Sequence, residues 1–70
     1  MENNQENKLG KKIKSLRLKL GLSQDKFARK ADVPYTTLTK IEIGVIKKPS
    51  VFVMDKLAKT LNVSIEELIK

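Results

Sequence analysis

Seventy residues allow one domain with a small core. The absence of Cys and His excludes disulfides and thiolate metal sites, and it removes the commonest metal ligand and general base. The net charge of +7 is unevenly placed: residues 8–49 hold twelve Lys and Arg against three acids, whereas residues 50–70 are neutral and residues 1–7 carry only Glu2 and Glu6. Like charges crowded in this way cost stability unless a polyanion meets them.

The opening MENNQEN reads as a polar, flexible tail, residues 1–7, ahead of a domain at 8–70. It lacks the basic start and apolar run of a signal peptide, and no apolar stretch approaches the roughly 20 residues of a membrane span. The expectation is a soluble cytoplasmic protein without membrane contact. Leu9, Ile13, Leu16 and Leu20 then recur at helical spacing and predict α1 over residues 8–20, with Gly21 as its C-cap. Lys11, Lys12, Lys14, Ser15 and Lys19 lie off that stripe, and Leu18 lies opposite it.

Ser23 can cap a short α2 whose buried face is Phe27, Ala28 and Ala31, ending near Asp32. Asp tolerates the left-handed turn conformation, Val33 points inward, and Pro34 prepares the start of α3, which runs from about Tyr35 to Ile43 with Leu38 and Ile41 inward. Gly44 ends it, and Val45 to Pro49 form a loop. Ser50 caps α4, with Val51, Met54, Leu57, Ala58 and Leu61 on its inward face and Asn62 at its end. SIEEL, Ser64 to Leu68, has the capping-box pattern between Ser64 and Glu67 and opens a short α5 with Ile65 and Leu68 inward. No useful period-2 segment and no long repeat appears, so the fold class is all-α.

Gln24 to Ile43 resembles the helix-turn-helix of the phage repressor and Cro family, also called the Xre family. The resemblance rests on Phe27 then Ala28 in the first helix, Ala31 before the turn and Val33 within it, and Leu38 and Ile41 in the second helix. The flanking LRLKLGLSQ, KIEIG and KLAKTLNVSIEEL extend it over residues 9–69. Asp32 departs from the usual Gly, which implies a slightly strained turn. The resemblance implies a five-helix, lambda-repressor-like DNA-binding domain. The six motif residues are themselves core: two helices crossing through a short turn must approach closely, and Ala28 supplies the clearance.

Function therefore falls to side chains that the core leaves free. With Leu38 and Ile41 inward, Thr36, Thr39, Lys40 and Ile43 face outward, with Tyr35 at the tip. The resemblance implies that this face enters the DNA major groove, which makes Tyr35, Thr36, Thr39 and Lys40 the candidate base-edge contacts. Lys40 can donate to guanine O6 and N7, and a Thr methyl can meet a thymine methyl. Gln24 lies in the first turn of α2, where N–H groups favour an anion. The resemblance implies that it holds a phosphate and braces the first base contact. Ser23, Thr37, Lys47 and Lys48 complete the candidate phosphate contacts, which position a domain without reading sequence. Ser23 serves equally well as a plain cap, and the α1 lysines as general steering.

Arg17 flanks the α1 stripe and Glu42 flanks the Leu38–Ile41 face. A buried charge needs a partner, and the resemblance implies that these two pair and fix the angle of α3 to α1. Leu18, Phe52 and Val53 fit no core stripe. Phe52 and Val53, on the neutral part of the chain, are candidates for a dimer or partner surface, or for local burial.

The expectation is a sequence-specific regulator of transcription, acting as a repressor through occupancy of a short inverted-repeat operator on double-stranded DNA, as a homodimer. No enzyme activity, cofactor or metal is expected. The alternative is an antitoxin or anti-repressor module of the same fold whose main partner is another protein. An RNA reader would need several exposed aromatics, of which Tyr35 is the main candidate. An enzyme accessory domain has no positive feature in its favour.

Overall fold

The computed structural model describes residues 7–70. Its helices are α1 (Lys8–Lys19), α2 (Gln24–Ala31), α3 (Tyr35–Glu42), α4 (Val51–Leu61) and α5 (Ile65–Ile69), and no strand occurs among the described residues. α1 packs on α3 and α5, α2 on α3 and α4, and α4 on α5. The periodic patterns thus yield the five helices expected, with α1 and α3 each one residue shorter. None of these helices is long and apolar enough to cross a membrane.

One device ends four helices. Gly21, Asp32, Gly44 and Asn62 all have positive φ, at 71°, 59°, 90° and 61°. The next residue then turns its N–H back onto the helix: Leu22 to Arg17 O at 3.2 Å, Val33 to Ala28 O at 3.0 Å, Val45 to Lys40 O at 2.8 Å and Val63 to Ala58 O at 3.0 Å. These are Schellman caps, which satisfy end carbonyls and fold an apolar residue back onto the helix. Ser23, Ser50 and Ser64 open the helices that follow, each accepting from an N–H three residues on.

The core is one cluster, in which Ile13, Phe27, Leu38, Ile41, Leu57 and Leu68 are the largest fully buried side chains. Each stabilises the fold by about 1.5–3 kcal/mol relative to exposure. Its make-up corrects the sequence reading at several points. Leu20 is 52 % exposed, because α1 stops at Lys19 and the Gly21 turn delivers Leu22 to the core in its place. Val51 is 63 % exposed, because it is the first residue of α4 and overhangs the end of the core. Val53 packs against the core, so of the Phe52–Val53 pair only Phe52, at 77 %, stands clear.

The capping box at Ser64 is half formed. The Ser64 hydroxyl accepts from Glu67 N, but the Glu67 carboxylate turns to Lys12 Nζ at 3.7 Å. Residues 1–6 of the expected tail lie outside the described residues. Asn7 does not behave as tail: its Nδ2 donates to Glu42 O at 3.3 Å. Beside it Gly10 is buried where α1 crosses α3, and a Cβ there would meet Ile41 O and lie 2.6 Å from Glu42 O.

Candidate nucleic-acid interface

Burial of Leu38 and Ile41 fixes the rotation of α3. Tyr35, Thr36, Lys40 and Ile43 are consequently exposed, Tyr35 by 50 % and Ile43 by 67 %. Thr37 and Thr39 are half-buried at the edges of that face. The Thr39 hydroxyl donates to Thr36 O at 2.9 Å, so it offers an incoming base an acceptor lone pair and a methyl group but no donor. Pro34 precedes α3 with φ −56° and ψ 139°, and no side chain caps the helix. The first-turn N–H groups of α3 are therefore available to an anion.

α2 presents its own N-terminus beside this face. The Ser23 Oγ accepts from Lys26 N at 3.1 Å, which establishes the cap and leaves the hydroxyl proton free to donate. Gln24 is placed differently from a simple phosphate contact. Its Nε2 donates to Glu42 Oε1 at 2.9 Å. One amide N–H is spent in this way, and the second N–H and Oε1 remain.

Glu42 is the centre of a buried network. Arg17 Nε donates to Glu42 Oε2 at 2.8 Å and its Nη2 to Oε1 at 3.1 Å, a bidentate fork. The third nitrogen, Nη1, donates to Leu22 O at 2.8 Å. The two side chains are only 6 % and 2 % exposed. The pair read from the sequence is therefore present, and Gln24 joins it. The network ties the α1 end, the α1–α2 turn and the start of α2 to the last residue of α3. Four further ion pairs, Asp25–Arg29, Asp55–Lys59, Lys12–Glu67 and Lys56–Asp32, are exposed and contribute little.

Lys47 and Lys48 are exposed on the loop after α3. Arg17, Gln24 and Glu42 thus lie together beneath the face, while Tyr35, Thr36 and Lys40 lie on it. Sequence reasoning missed Asn7, Gly10 and Leu22. A glycine inside the amphipathic pattern of α1 was the one available signal, since such a residue usually has a packing reason. Among the described residues no group of three or more His, Cys, Asp or Glu could hold a metal ion.

A helix-turn-helix family model matches residues 13–68. No curated protein is matched by sequence. Among solved structures the chain is similar to the N-terminal DNA-binding domain of SinR from Bacillus subtilis, at 31 % identity over 91 % of this chain and 93 % of that one, with a TM-score of 0.89. It is similar to SinR, described as the master regulator for biofilm formation, in complex with DNA, at 32 % identity over 89 % of this chain and 98 % of that one, TM-score 0.86. A chain of the SinR protein/SinI protein complex is matched at 32 % identity and TM-score 0.86 over 89 % of this chain, which covers 60 % of that longer one.

Proposed function

Because the chain belongs to the phage repressor and Cro-like (Xre) helix-turn-helix family of DNA-binding transcriptional regulators, we propose that it represses by occupying a short inverted-repeat operator as a two-fold dimer, with α3 in the major groove. The carrying observation is the outer face of α3, where Tyr35, Thr36 and Lys40 are exposed above a core that fixes their direction. In this reading Lys40, Thr36, Tyr35 and the Thr39 methyl read base edges. The Ser23 hydroxyl, the second Gln24 N–H, Thr37, Lys47 and Lys48 hold phosphates. SinR has been solved with DNA, which supports the same use of the same fold here. The mechanism is occupancy alone, in the cytoplasm, with no reaction catalysed.

Selection of bound fragments from random duplex DNA tests the reading, and an inverted repeat with half-sites about 34 Å apart is expected. In the same assay Lys47→Ala and Lys48→Ala weaken binding to all sequences alike. Each lowers the slope of log affinity against log salt by about 1. Affinity that is flat in salt, or selection without a repeat, would overturn it. A second reading, a protein partner or self-association through Phe52, draws on that residue's 77 % exposure. Concentration-dependent sedimentation of wild type and Phe52→Glu tests it.

A further inference from the structure

The outer face of α3 carries one side chain that the proposed base contacts leave unused. Ile43 is 67 % exposed and takes no part in the core cluster. Its N–H donates to Thr39 O at 3.0 Å and its backbone is right-handed helical, so it completes the last turn of α3. It follows Thr36 by nearly two full turns, about 20° short, and therefore points the same way, with Lys40 and Thr39 on either side. Leu38 and Ile41, both buried, face the opposite direction. A lone exposed isoleucine is ordinary on a surface. This one stands in the middle of the face proposed to read bases. Beside it the Thr39 hydroxyl spends its proton on Thr36 O at 2.9 Å, which leaves Thr39 a methyl and an acceptor.

Isoleucine has no donor and no acceptor. Against phosphate it contributes nothing, and against a polar base edge it displaces water without replacing the lost hydrogen bonds. In the major groove the C5-methyl of thymine is the apolar group on show, whereas guanine, adenine and cytosine present donors and acceptors there. Burying that methyl against an aliphatic side chain is favourable. We propose that Ile43 is a specificity-determining residue that meets the C5-methyl of a thymine in each half-site, so that the operator carries an A·T pair where the C-terminal end of α3 lies. Thr39, one turn earlier, lies beside Ile43 and adds its methyl to the same apolar contact. The assignment rests on the DNA-binding reading above, in which α3 enters the major groove.

The probe is the duplex selected from random DNA, remade with deoxyuridine for one thymine at a time. This removes the C5-methyl and keeps every hydrogen-bonding group. At one thymine of each half-site the affinity of the wild-type chain should fall about three- to fivefold, the worth of one buried methyl. Ile43→Ala should bind the thymine and deoxyuridine duplexes of that position alike, and should respond to the other thymines as wild type does. Replacing that T·A pair by C·G should weaken the wild type. Putting 5-methylcytosine in place of the cytosine should then recover about threefold for wild type and nothing for Ile43→Ala. Position 43 is exposed, so the variant should keep the wild-type melting curve, and the deoxyuridine series with the wild-type chain stands without it. Absence of any methyl-sensitive thymine, or a sensitivity that Ile43→Ala leaves intact, would overturn the assignment while the DNA-binding reading stands. A loss from Ile43→Ala that is equal for every duplex would also overturn it, by placing the side chain against the sugar–phosphate backbone. So would a variant that sediments differently from wild type, by placing it between protein copies. Failure to select any site would overturn both readings.

Discussion

Residues 25–34 read DKFARKADVP and residues 55–64 read DKLAKTLNVS, and the two stretches fold alike. Phe27 and Leu57 are both fully buried, and Ala28 and Ala58 both give clearance at the crossing. Asp25–Arg29 and Asp55–Lys59 form matching i,i+4 pairs at 2.8 and 3.1 Å. Asp32 (φ 59°, ψ 45°) and Asn62 (φ 61°, ψ 42°) turn the chain in nearly the same way. Val33 and Val63 each return an N–H to the matching alanine at 3.0 Å. The molecule therefore contains the same helix end and turn twice. What differs is the second helix. α3 carries no acid in its first turn and exposes Tyr35, Thr36 and Lys40, whereas α5 has Glu66 and Glu67 in its first turn. Carboxylates at that place repel phosphate, so under the proposed DNA-binding reading the turn builds the corner and the outward charge favours α3 over α5.

The two second helices are also held differently. α3 is gripped at its C-terminal end by the Arg17–Glu42–Gln24 network and by Asn7, while α5 carries the exposed Lys12–Glu67 pair at 3.7 Å. The sharpest way to break the comparison is therefore at these two ion pairs. Arg17→Met leaves the Glu42 carboxylate buried without its charge partner and should cost about 3–5 kcal/mol. Adding Glu42→Leu should recover part of that loss. Lys12→Met should move stability by less than about 0.5 kcal/mol. Chemical denaturation of the four proteins measures all three statements, and equal effects of Arg17→Met and Lys12→Met would erase the distinction.

Gly10 tests the same grip by volume. Helix propensity alone favours Ala by about 1 kcal/mol. The added methyl, however, would press on the Ile41 and Glu42 carbonyls, backbone that cannot rotate away, and such overpacking costs about 1–3 kcal/mol. Gly10→Ala should be net destabilising and should weaken DNA binding by displacing α3. A more stable variant would mean that α1 and α3 have room to separate.

These two sites also mark how far the sequence was legible. Ile13, Phe27, Leu38, Ile41, Leu57 and Leu68 follow from period 3.6, and the Ser and positive-φ caps follow from residue type, because both are local rules. Leu20 and Val51 failed because periodicity assumes that a helix continues, and each lies where its helix ends. Arg17 and Glu42 could be paired because each flanks a buried face and neither charge can be buried alone. Gln24 joining them, and Asn7 reaching Glu42 from 35 positions away, depend on how whole helices cross, which no local spacing records. Thr39 was the opposite case: a hydroxyl bonding the carbonyl three residues back is a local habit of Thr in helices and was readable.

The reading face itself is probed by exchanging what distinguishes α3 from α5. If Lys40 meets a base edge, Lys40→Ala should change preference at one position in each half-site, by ~1–3 kcal/mol, and leave the other positions intact. Scoring every single-base operator variant with both proteins measures this. A uniform offset between the two profiles would mean that Lys40 touches phosphate and that Tyr35, Thr36 or the Thr39 methyl reads the bases. Glu66→Gln on α5 should leave the profile unchanged.

The smallest effect concerns the two turns. Asp32 and Asn62 occupy left-handed backbone that glycine adopts without a Cβ penalty but with more entropy to lose on folding. These terms oppose each other, so Asp32→Gly and Asn62→Gly should each stabilise by no more than about 0.5–1 kcal/mol. If the turns are physically the same, the two gains should agree. One difference is built in: the Asp32 carboxylate lies 3.7 Å from Lys56 Nζ, at 94 % and 46 % side-chain exposure. Such a pair is worth little, and Lys56 also donates to the Asp32 carbonyl at 3.2 Å, a contact that glycine keeps. The stability gain at 32 should therefore equal that at 62 or fall just short of it. DNA affinity should rise only for Asp32→Gly, since that turn alone leads into α3, the proposed reading helix, and alone loses a negative charge. Thermal melts of the two variants, paired with duplex titrations at low and high salt, separate these effects. A gain in affinity at 62 as large as at 32 would place α5, and not only α3, against the DNA.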